Sequence, residues 1–525
     1  MTLSRRAFQR QLQAGALALA LAPWQRALTQ PADQARPWKN NPFSLGVASG
    51  RPRPDAVLLW TRLLVSDEDR RLSAQTEESL KVEWEVFADE ALRRPLFKGQ
   101  QVTDGTRGHS VHVHLQGLAP GRDYWYRFRC GDALSRVGHT RTAPLPDAAV
   151  KQLRIALASC QHFEQGQYIA HRDIAAQSLD FVLFVGDYIY ESSNPRYAVR
   201  QHTGGEPMTL PAYRERYAQY KSDPLLQASH AAHPWVLMWD DHEVVNDYAN
   251  NQDARYTDPV VFLARRAAAY QAYFEHQPLL LGPDPTSPYK ASMRLHDRWA
   301  WGQLADLWTL DCRQYRDPQA CPDPLKGGGR VVTTCAELDN PARSMLGQAQ
   351  ERWLAEGLSA STRRWKILAQ ATQISSTRVD TPMGRTTYTD AWDGYPLARQ
   401  RLLQTIADAR LQDVVTLGGD VHMNVAAPLR MQANDSQSPP LATEFVTTSI
   451  TSRGLSEGPL SLIRSSNPDL LHARADERGY TLLDVSPEAM RAEFRTTPFP
   501  AGTRDSLTTQ AVFQVQRGQA GPVKV

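Results

Sequence analysis

Side chains that can bind a metal ion or move a proton follow four apolar runs of the sequence, at the point where each run ends. The runs are LRIALA, LDFVLFV, PWVLMW and DVVTLG, and they are followed by Cys160, by Asp187 and Tyr190, by Asp240, Asp241 and His242, and by Asp420 and His422. An aspartate or a glycine after a single strand is usually just a turn residue. Ligands of α/β proteins, however, collect at the carboxyl ends of strands, so four such ends predict one crevice lined with donors.

One group of these donors suits a trivalent iron. The Cys160 thiolate and the Tyr190 phenolate are anionic ligands with high affinity for Fe³⁺, and both must lose a proton to bind it. Asp187 precedes Tyr190 by three residues on the turn that leaves the strand, so both can face one metal while the second carboxylate oxygen of Asp187 bridges to another. His422 adds a neutral imidazole. The sequence therefore predicts Fe³⁺ on Cys160, Asp187, Tyr190 and His422.

The other donors are oxygen atoms. Asp241 and Asp420 offer carboxylates and Asn246 offers an amide oxygen, and hard oxygen ligands suit Ca²⁺ better than Zn²⁺. We therefore expect one or more Ca²⁺ ions beside the iron. Two assignments stay open: Asp240 is either a ligand or a buried acceptor that supports the ligands, and Asn246 is either a ligand or a helix-capping residue.

The order of these motifs matches the metallophosphoesterase plan, in which D-x-[HG], GD-x-x-[DY], GNH[DE] and GH-x-H follow separate strands. Here a cysteine replaces the first aspartate, DDHE replaces GNHE, and GDVH replaces GHxH, while the tyrosine of GDYIY is shared with purple acid phosphatases. The segments LASCQ, GDYIYE, WDDHEVVNDYA, AWDGYPLAR, GGDVHMN and FSLGVASGRPRPDAVLLWTRL closely resemble the PhoD-type alkaline phosphatase/phosphodiesterase family. The resemblance extends from about Phe43 to beyond His422, and it implies the same Fe³⁺ and Ca²⁺ site.

The resemblance implies an exported, metal-dependent hydrolase of phosphate esters. A metal-bound hydroxide would attack phosphorus in line, and His242, which matches the histidine of GNH, is our candidate for the general acid or for a stabiliser of the transition state. The alternative for His242 is a supporting contact to Asp241. Candidate substrates are small phosphate esters, including nucleotides, teichoic-acid-like diesters and phospholipid diesters.

Two other functions remain open at this stage. One is a phospholipase D-like phosphodiesterase that uses the same site, and the other is a non-catalytic cell-envelope module in which the metals only stabilise the fold. The chain lacks a G-x-S-x-G motif, and GGG at 327–329 lacks the Lys-Ser/Thr of a phosphate-binding P-loop. A serine hydrolase and a P-loop nucleotide hydrolase are therefore disfavoured.

The elements that position these residues differ along the chain. Residues 40–145 show short alternating stretches separated by turn residues, which predicts a small fibronectin III/Ig-like β-sandwich domain. After a Pro-containing linker at 142–150, apolar strands alternate with helical stretches. Residues 151–525 are therefore expected to form an α/β catalytic domain, a metallophosphoesterase-like β-sheet sandwich flanked by helices. Residues of about 257–340 are predicted to be long loops inserted around a helix.

Residues 1–32 resemble a twin-arginine signal peptide, with Arg5-Arg6 before the apolar run Ala14–Ala22. That run is too short to span a bilayer, which needs about 20 residues, and we expect cleavage between Ala22 and about Ala35. The leader implies a twin-arginine export partner and a periplasmic or secreted location. It also carries four arginines and no acid, so the chain's 59 basic and 56 acidic residues become nearly balanced without it. This balance predicts no nucleic-acid-binding surface, and no later segment predicts a membrane span.

Five cysteines in an exported chain allow disulfide pairing. If Cys160 binds iron, three of the other four lie in the insertion, namely Cys312, Cys321 and Cys335. We expect one loop disulfide among these three, with the pairing left open. Cys130, on an alternating stretch of the predicted sandwich, is expected to be a buried thiol.

Overall fold

The computed structural model describes residues 38–72, 79–280, 282 and 293–525, and the leader prediction for residues 1–32 lies outside them. The strands are β1 Val47–Gly50, β2 Ala56–Arg62, β3 Leu80–Phe87, β4 Pro95–Thr103, β5 Ser110–Gln116, β6 Asp123–Cys130, β7 Ala133–Leu134, β8 Gly138–Arg141, β9 Leu153–Ala158, β10 Phe181–Val185, β11 Pro234–Met238, β12 Asp297–Trp301, β13 Ala305–Thr309, β14 Val331–Val332, β15 Trp365–Ala369, β16 Val379–Thr381, β17 Gly384–Tyr388, β18 Val414–Gly418, β19 Asn424–Arg430, β20 Pro440–Val446, β21 His472–Arg474, β22 Glu477–Val485, β23 Ala489–Pro498, β24 Thr508–Gln516 and β25 Val523–Lys524. The α-helices are α1 Asp67–Leu72, α2 Ile169–Ala176, α3 Leu210–Lys221, α4 Pro224–Ala232, α5 Pro259–His276, α6 Gln348–Ser359, α7 Pro396–Asp408 and α8 Glu457–Ser466. Single 3-10 turns occur at Gly105–Arg107, Phe163–Gln165, Pro195–Tyr197, Ala336–Asp339 and Trp392–Gly394.

Two mixed sheets form the centre of the molecule. The larger has ten strands in the order β25-β24-β23-β22-β9-β10-β11-β1-β2-β5, and β9, β10, β11 and β1 are parallel to their neighbours within that run. The smaller has seven strands in the order β12-β13-β15-β18-β20-β19-β21, with β13, β15, β18 and β20 parallel. The fold is α/β, as the sequence predicts.

The layers follow from side-chain alternation along the strands. In β9, Ile155 and Leu157 lie in the apolar core that also contains Ile367 and Val415 of the smaller sheet. The intervening residues Ala156 and Ala158 belong instead to a core that includes side chains of α3 and α5. On the outer face of the smaller sheet, Leu368 packs with residues of α6 and α7. The two sheets thus share one core, and helices cover their outer faces.

The N-terminal strands are divided between two sheets. β1, β2 and β5 continue the ten-stranded sheet, whereas β3, β4, β6, β7 and β8 form a separate five-stranded sheet. Val57 and Val113 from the first set and Val82 and Phe128 from the second lie in one apolar cluster. One layer of the predicted sandwich is therefore continuous with the central sheet, and residues Trp38–Val525 form one compact unit.

The prediction for residues 257–340 was wrong in part. Helix α5 is present, but Asp297–Thr309 forms the hairpin β12–β13 on the edge of the seven-stranded sheet instead of a loop. Gly302 turns this hairpin with a φ of 57°, and a Cβ at that position would lie 2.3 Å from Val150 Cγ2. In the same region Cys321 and Cys335 form a disulfide while Cys312 is a buried free thiol, so the expected loop disulfide is present. Among the described residues, no helix is both long and apolar enough to cross a membrane.

Candidate metal centre

The predicted donors lie at the carboxyl ends of four parallel strands. Strands β9, β10 and β11 of the larger sheet precede Cys160, Asp187 and Asp241, and β18 of the smaller sheet precedes Asp420 and His422. Cys160, Asp187, Asp420 and His422 have φ values of 58°, 58°, 63° and 53°. Left-handed backbone is uncommon outside glycine and costs free energy, and such residues cluster at functional sites.

Gly186 allows the loop that carries Asp187 and the loop that carries Asp240 and Asp241 to approach each other closely. Its φ is 114°, and a Cβ added there would lie 2.6 Å from Asp240 Cβ and 2.8 Å from Asp240 N. Any side chain at this position would therefore push the loop carrying Asp187 away from the loop carrying Asp240 and Asp241. The glycine of the GDYIY motif is thus required by packing and not only by the turn.

Cys160, Asp187 and His422 form the first donor cluster, in which one ligand atom from each lies within 4.8 Å of the others. Tyr190 completes it, because Tyr190 Oη is 2.8 Å from Asp187 Oδ2 and 3.0 Å from His422 Nε2. His422 Nδ1 donates to the carbonyl oxygen of Arg453 at 2.8 Å, which leaves the Nε2 lone pair facing the cluster. The structure therefore brings together the four predicted iron ligands.

Burial controls the protonation of this cluster in the absence of a cation. It raises the pKa values of the Cys160 thiol and the Tyr190 phenol well above their usual ranges, and the nearby Asp187 carboxylate raises both further. Burial also lowers the pKa of His422 to about 3, so that its imidazole is neutral. Only a strongly bound cation can favour the thiolate and the phenolate here.

Two further clusters continue from the first. Asp187, Asp241 and His242 form one, and Asp241, Asp247 and Asp390 form the other, each with ligand atoms within 4.8 Å of one another. Because Asp187 and Asp241 are each shared between two clusters, the three form a continuous row of donors. Asp247 and Asp390 were missed in the sequence, although Asp247 lies within WDDHEVVNDYA and Asp390 directly precedes AWDGYPLAR.

Three predicted residues lie in less direct positions. Asp240 uses Oδ1 to accept from Arg313 Nε at 2.5 Å, while its Oδ2 is buried without a hydrogen-bond partner. Asp420 Oδ2 accepts from Thr372 Oγ1 at 2.6 Å, and burial raises the pKa of Asp420 to about 7. Asn246 is exposed, and its backbone N–H donates to Glu191 Oε1 at 3.1 Å.

Arg313 is a buried cation among the aspartates that sequence reasoning did not find. Besides Asp240, its Nη1 and Nη2 donate to both oxygens of Asp390 at 3.0 and 2.9 Å, and Nη2 is 3.6 Å from Asp241 Oδ2. Asp390 also accepts from Gln319 Nε2 at 2.6 Å. Arg313 therefore orients Asp240 and offsets part of the negative charge that Asp390 adds.

Glu243 joins the two loops that carry the aspartates. Its carboxylate accepts hydrogen bonds from the backbone N–H groups of Asp187 at 3.2 Å, Tyr188 at 2.6 Å and Asp240 at 2.9 Å. This fixes the GDYIY loop to the WDDHE loop through one buried side chain. The sequence placed Glu243 inside a recognised motif but gave it no role.

His242 lies between Tyr190 and a buried acid, Glu191. Its Nδ1 donates to Glu191 Oε2 at 2.6 Å, and its ring centroid is 4.1 Å from that of Tyr190. Burial lowers the pKa of His242, but the charges of Glu191, Asp187 and Asp241 outweigh this effect and raise the pKa well above the usual range. The partner of His242 is therefore Glu191, and the hydrogen bond ties the histidine to the GDYIYE segment.

The donor set fits metal ions. Asp187 Oδ1, Asp240 Oδ2 and Asp241 Oδ1 are buried and lack hydrogen-bond partners in the described structure. Buried carboxylate oxygens without partners are rare and costly, and several of them around one space need a cation to compensate their charge. A thiol, a phenol and an imidazole at one end suit a transition metal, and the carboxylates at the other suit a hard divalent ion.

This site and fold belong to a phosphatase family. The sequence matches the PhoD-like phosphatase family over residues 155–494 and the N-terminal domain of PhoD-like phosphatases over residues 28–144. The chain therefore belongs to the PhoD-like phosphatase family, and it is an enzyme, a hydrolase of phosphoric esters. This assignment sets aside the non-catalytic module.

Two relatives are similar over nearly the whole chain. The sequence is 41% identical to alkaline phosphatase D of Bacillus subtilis (strain 168) over 492 residues, which cover 92% of this chain and 82% of that protein. A solved structure described as PhoD superposes with a TM-score of 0.87 at 40% identity and covers 93% of both chains. The resemblance expected from the motifs is thereby confirmed for the fold as well as for the family.

Proposed function

We propose that this enzyme hydrolyses phosphate esters at a site holding Fe³⁺ on Cys160, Asp187, Tyr190 and His422, with one or more Ca²⁺ ions on the adjoining carboxylates. The observation that carries the proposal is the convergence of thiol, phenol, carboxylate and imidazole in one buried cluster. Phenolate and thiolate favour a trivalent iron, since both are strong anionic donors. The family membership supports a phosphate ester as the substrate.

The Ca²⁺ ligands we propose include carboxylates of the second and third clusters. Asp187 offers Oδ1 and Asp241 offers its own unpartnered Oδ1, and Asp420 stays in the set as the sequence predicts. We add Asp247, because its carboxylate clusters with Asp241, and we keep Asn246 as an additional candidate. Asp390 is better described as the anchor of Arg313, since its two oxygens already accept from that guanidinium.

When bound, these ions supply positive charge for the non-bridging phosphate oxygens and lower the pKa of a water molecule toward neutrality. The chain's own contribution is the proton for the leaving group. His242 Nδ1 is committed to Glu191, so the proton available to substrate is on Nε2. An ion on Asp187 and Asp241 cancels their effect on His242, but the direct contact with Glu191 continues to favour the imidazolium.

The enzyme is further proposed to act outside the cytoplasm after twin-arginine export. The leader motif at Arg5-Arg6 supports this route, and the Cys321–Cys335 disulfide supports an oxidising compartment. Export of an already folded chain allows iron to be loaded before secretion.

The decisive experiment measures metal content, colour and activity on one purified preparation of the mature protein. We expect stoichiometric iron, bound calcium and a purple colour from tyrosinate-to-Fe³⁺ charge transfer. Activity on p-nitrophenyl phosphate and on bis(p-nitrophenyl) phosphate, before and after calcium chelation, separates monoesterase from diesterase action. A phospholipid diester in the same assay tests the phospholipase D-like alternative.

Each part of the proposal has its own contradicting result. A colourless protein with stoichiometric zinc contradicts the iron assignment. Full activity after calcium has been removed, with iron retained, contradicts the role of Ca²⁺. Failure to hydrolyse any of the three esters while both metals are bound contradicts the proposed reaction.

A further inference from the structure

The turn Ser449–Arg453 contacts three of the four proposed iron ligands. Ser452 Oγ is 2.8 Å from the carbonyl oxygen of Cys160 and 2.8 Å from Tyr190 Oη. The carbonyl oxygen of Arg453, the next residue, accepts from His422 Nδ1 at 2.8 Å. The position of this one turn therefore affects the thiol, the phenol and the imidazole together.

A single arginine holds this turn. Arg478 Nη1 donates to Ser449 Oγ at 2.6 Å and also to the carbonyl oxygen of Ser452, so it joins both ends of the turn. Arg478 Nη2 donates to the carbonyl oxygen of Ala475 at 2.7 Å, which fixes the guanidinium itself. Arg478 has 0% exposure, and water does not replace these contacts.

Arg478 has no carboxylate within ion-pairing distance among the described residues. Its three hydrogen-bond acceptors are neutral, its Nε is buried without a partner, and no ion pair within the described residues includes it. A buried cation is costly unless a negative charge lies nearby. Burial lowers the pKa of Arg478 to about 10, and the charges of Cys160, Asp476, Tyr190 and Glu477 oppose this shift.

Strand β22, which carries Arg478, lies next to β9, the strand that precedes Cys160. The antiparallel pairing ends with Thr481 opposite Leu157. Beyond that pair the Ser449–Arg453 turn lies between the two segments, because Ile450 N–H donates to the carbonyl oxygen of Ser159 at 2.9 Å and Gly479 N–H donates to that of Ser449 at 2.8 Å. The thiolate and the phenolate of the loaded site would add to the negative charge that stabilises this cation, since Cys160 and Tyr190 are among the groups whose charges raise its pKa.

We propose that Arg478 is a positioning residue for the iron side of the site: it holds the Ser449–Arg453 turn against Cys160, Tyr190 and His422, and its charge balances the two anionic ligands. This inference rests on the proposed function. Ser452 transmits part of the effect, because its single hydroxyl proton bonds more strongly to an ionised Tyr190 than to a neutral carbonyl.

The test compares Arg478→Gln, Arg478→Lys and Ser452→Ala with the wild-type holoenzyme. The measurements are iron retained after dialysis against a chelator, the wavelength of the visible band and the reduction potential of the iron. Arg495→Gln is the matched control, since Arg495 lies on the neighbouring strand β23 and is paired with Asp173 at 2.8 Å. A general loss of stability affects the control as well, but the band and the potential respond only to changes at the metal.

Each variant has a distinct expected result. Ser452→Ala removes a donor from the phenolate, so the band moves to longer wavelength. Arg478→Gln removes a nearby positive charge, so the reduction potential falls, and iron affinity drops about 10- to 100-fold, as is typical when a residue supporting metal ligands is lost. Arg478→Lys keeps the positive charge but loses the separate hydrogen bonds of Nη1 and Nη2. Iron should therefore be released more easily, while the reduction potential stays near that of the wild type.

The outcomes separate this inference from the function on which it rests. Suppose that the wild type contains iron, but Arg478→Gln and Ser452→Ala leave the visible band, the reduction potential and the iron retention unchanged. This result overturns the role of Arg478 and leaves the proposed function standing. A wild type that binds no iron overturns both. If Arg478→Gln does not fold, as judged by circular dichroism, Arg478→Lys and Ser452→Ala decide by iron retention and band position.

Discussion

His242 and Glu191 form a buried pair in which the imidazole Nδ1 donates to the carboxylate Oε2 at 2.6 Å. Glu191 is the residue after Tyr190, so the chain that supplies a proposed iron ligand also supplies the partner of the proposed acid. The pair fixes both the orientation and the tautomer of His242, because Nδ1 carries the shared proton. The remaining nitrogen, Nε2, is then the atom that can act on a leaving group.

Replacing His242 by alanine should slow turnover and spare the iron. A general acid typically contributes about 10²- to 10⁴-fold to a rate, so kcat for an alkyl phosphate ester, whose alkoxide leaving group needs a proton, is expected to fall at least about 100-fold. The iron content and the visible band should stay close to the wild type, since His242 is not in the proposed iron set. Steady-state kinetics and metal analysis on the same sample check both statements, and a variant as fast as the wild type contradicts the acid assignment.

Glu191→Gln should shift the pH dependence of turnover. Glu191 raises the pKa of His242, and the imidazolium is the active form, so activity declines as the pH rises through that pKa. Removing the negative charge lowers the pKa of His242, and the alkaline decline of kcat is expected to begin at a lower pH. A kcat profile that superposes on that of the wild type argues against Glu191 as the group that tunes His242.

Glu243→Gln should weaken metal binding by loosening the two aspartate loops. A glutamine side chain has one oxygen and an amide NH₂ group, so it cannot accept all three N–H groups that Glu243 now accepts. We expect about a 10- to 100-fold loss of metal affinity, measured by titration of the metal-depleted protein and by recovery of activity.

Glu444→Gln provides the control for that variant. Glu444 is also buried, and it accepts the backbone N–H groups of Ile374 and Ser375 at 2.7 Å each. It belongs to none of the three donor clusters among the described residues. Its replacement should lower the free energy of unfolding by about 1–3 kcal/mol without changing metal affinity, and equal metal loss in both variants contradicts a specific role for Glu243.

The sequence predicted the metal-donor residues better than it predicted the residues that orient them. Strand ends are visible in a sequence because buried parallel strands are continuous apolar runs, and so Cys160, Asp187, Asp241 and His422 could be placed on one crevice. Arg313 and Asp390 meet across 77 positions of the chain. Their contact depends on how two irregular segments fold over the site. Neither the periodicity of the sequence nor the spacing of its motifs predicts such a contact.

The missed hairpin has a different explanation. Asp297–Trp301 and Ala305–Thr309 are only five residues each and lie beside Pro-rich and Cys-containing segments typical of loops. Strands this short carry little alternation, so the neighbouring turn residues dominated the prediction. The pairing of β13 with β15, which adds the hairpin to the sheet, is a long-range contact that the local pattern does not contain.

Substitution of the twin arginines tests the export route. Replacing Arg5 and Arg6 together by lysine should keep the charge of the leader and abolish transport, because the predicted signal depends on the arginine pair. Cell fractionation followed by activity measurement locates the enzyme. Arg10→Lys in the same leader is the control and should leave export unchanged, and normal export of the double variant contradicts the twin-arginine route.

The Cys321–Cys335 disulfide should stabilise the loop that borders the carboxylates. It closes a segment with a sequence separation of 14, so the double serine variant is expected to lose about 3 kcal/mol of unfolding free energy. Gly329 lies within that segment and donates its N–H to Asp247 Oδ2 at 2.8 Å, so the variant should also need more calcium for half-maximal activity. Denaturant unfolding and calcium titration measure the two effects.

Treatment with a reducing agent distinguishes the effect of losing the disulfide bond from other effects of the cysteine substitutions. Reduction should destabilise the wild type by about the same amount as the double serine variant and should have no effect on that variant. Cys312→Ala removes a buried free thiol and should keep the full response to reductant. A wild type whose stability and calcium requirement do not change on complete reduction contradicts the role of the disulfide, since Asp247 would then be held without the closed loop.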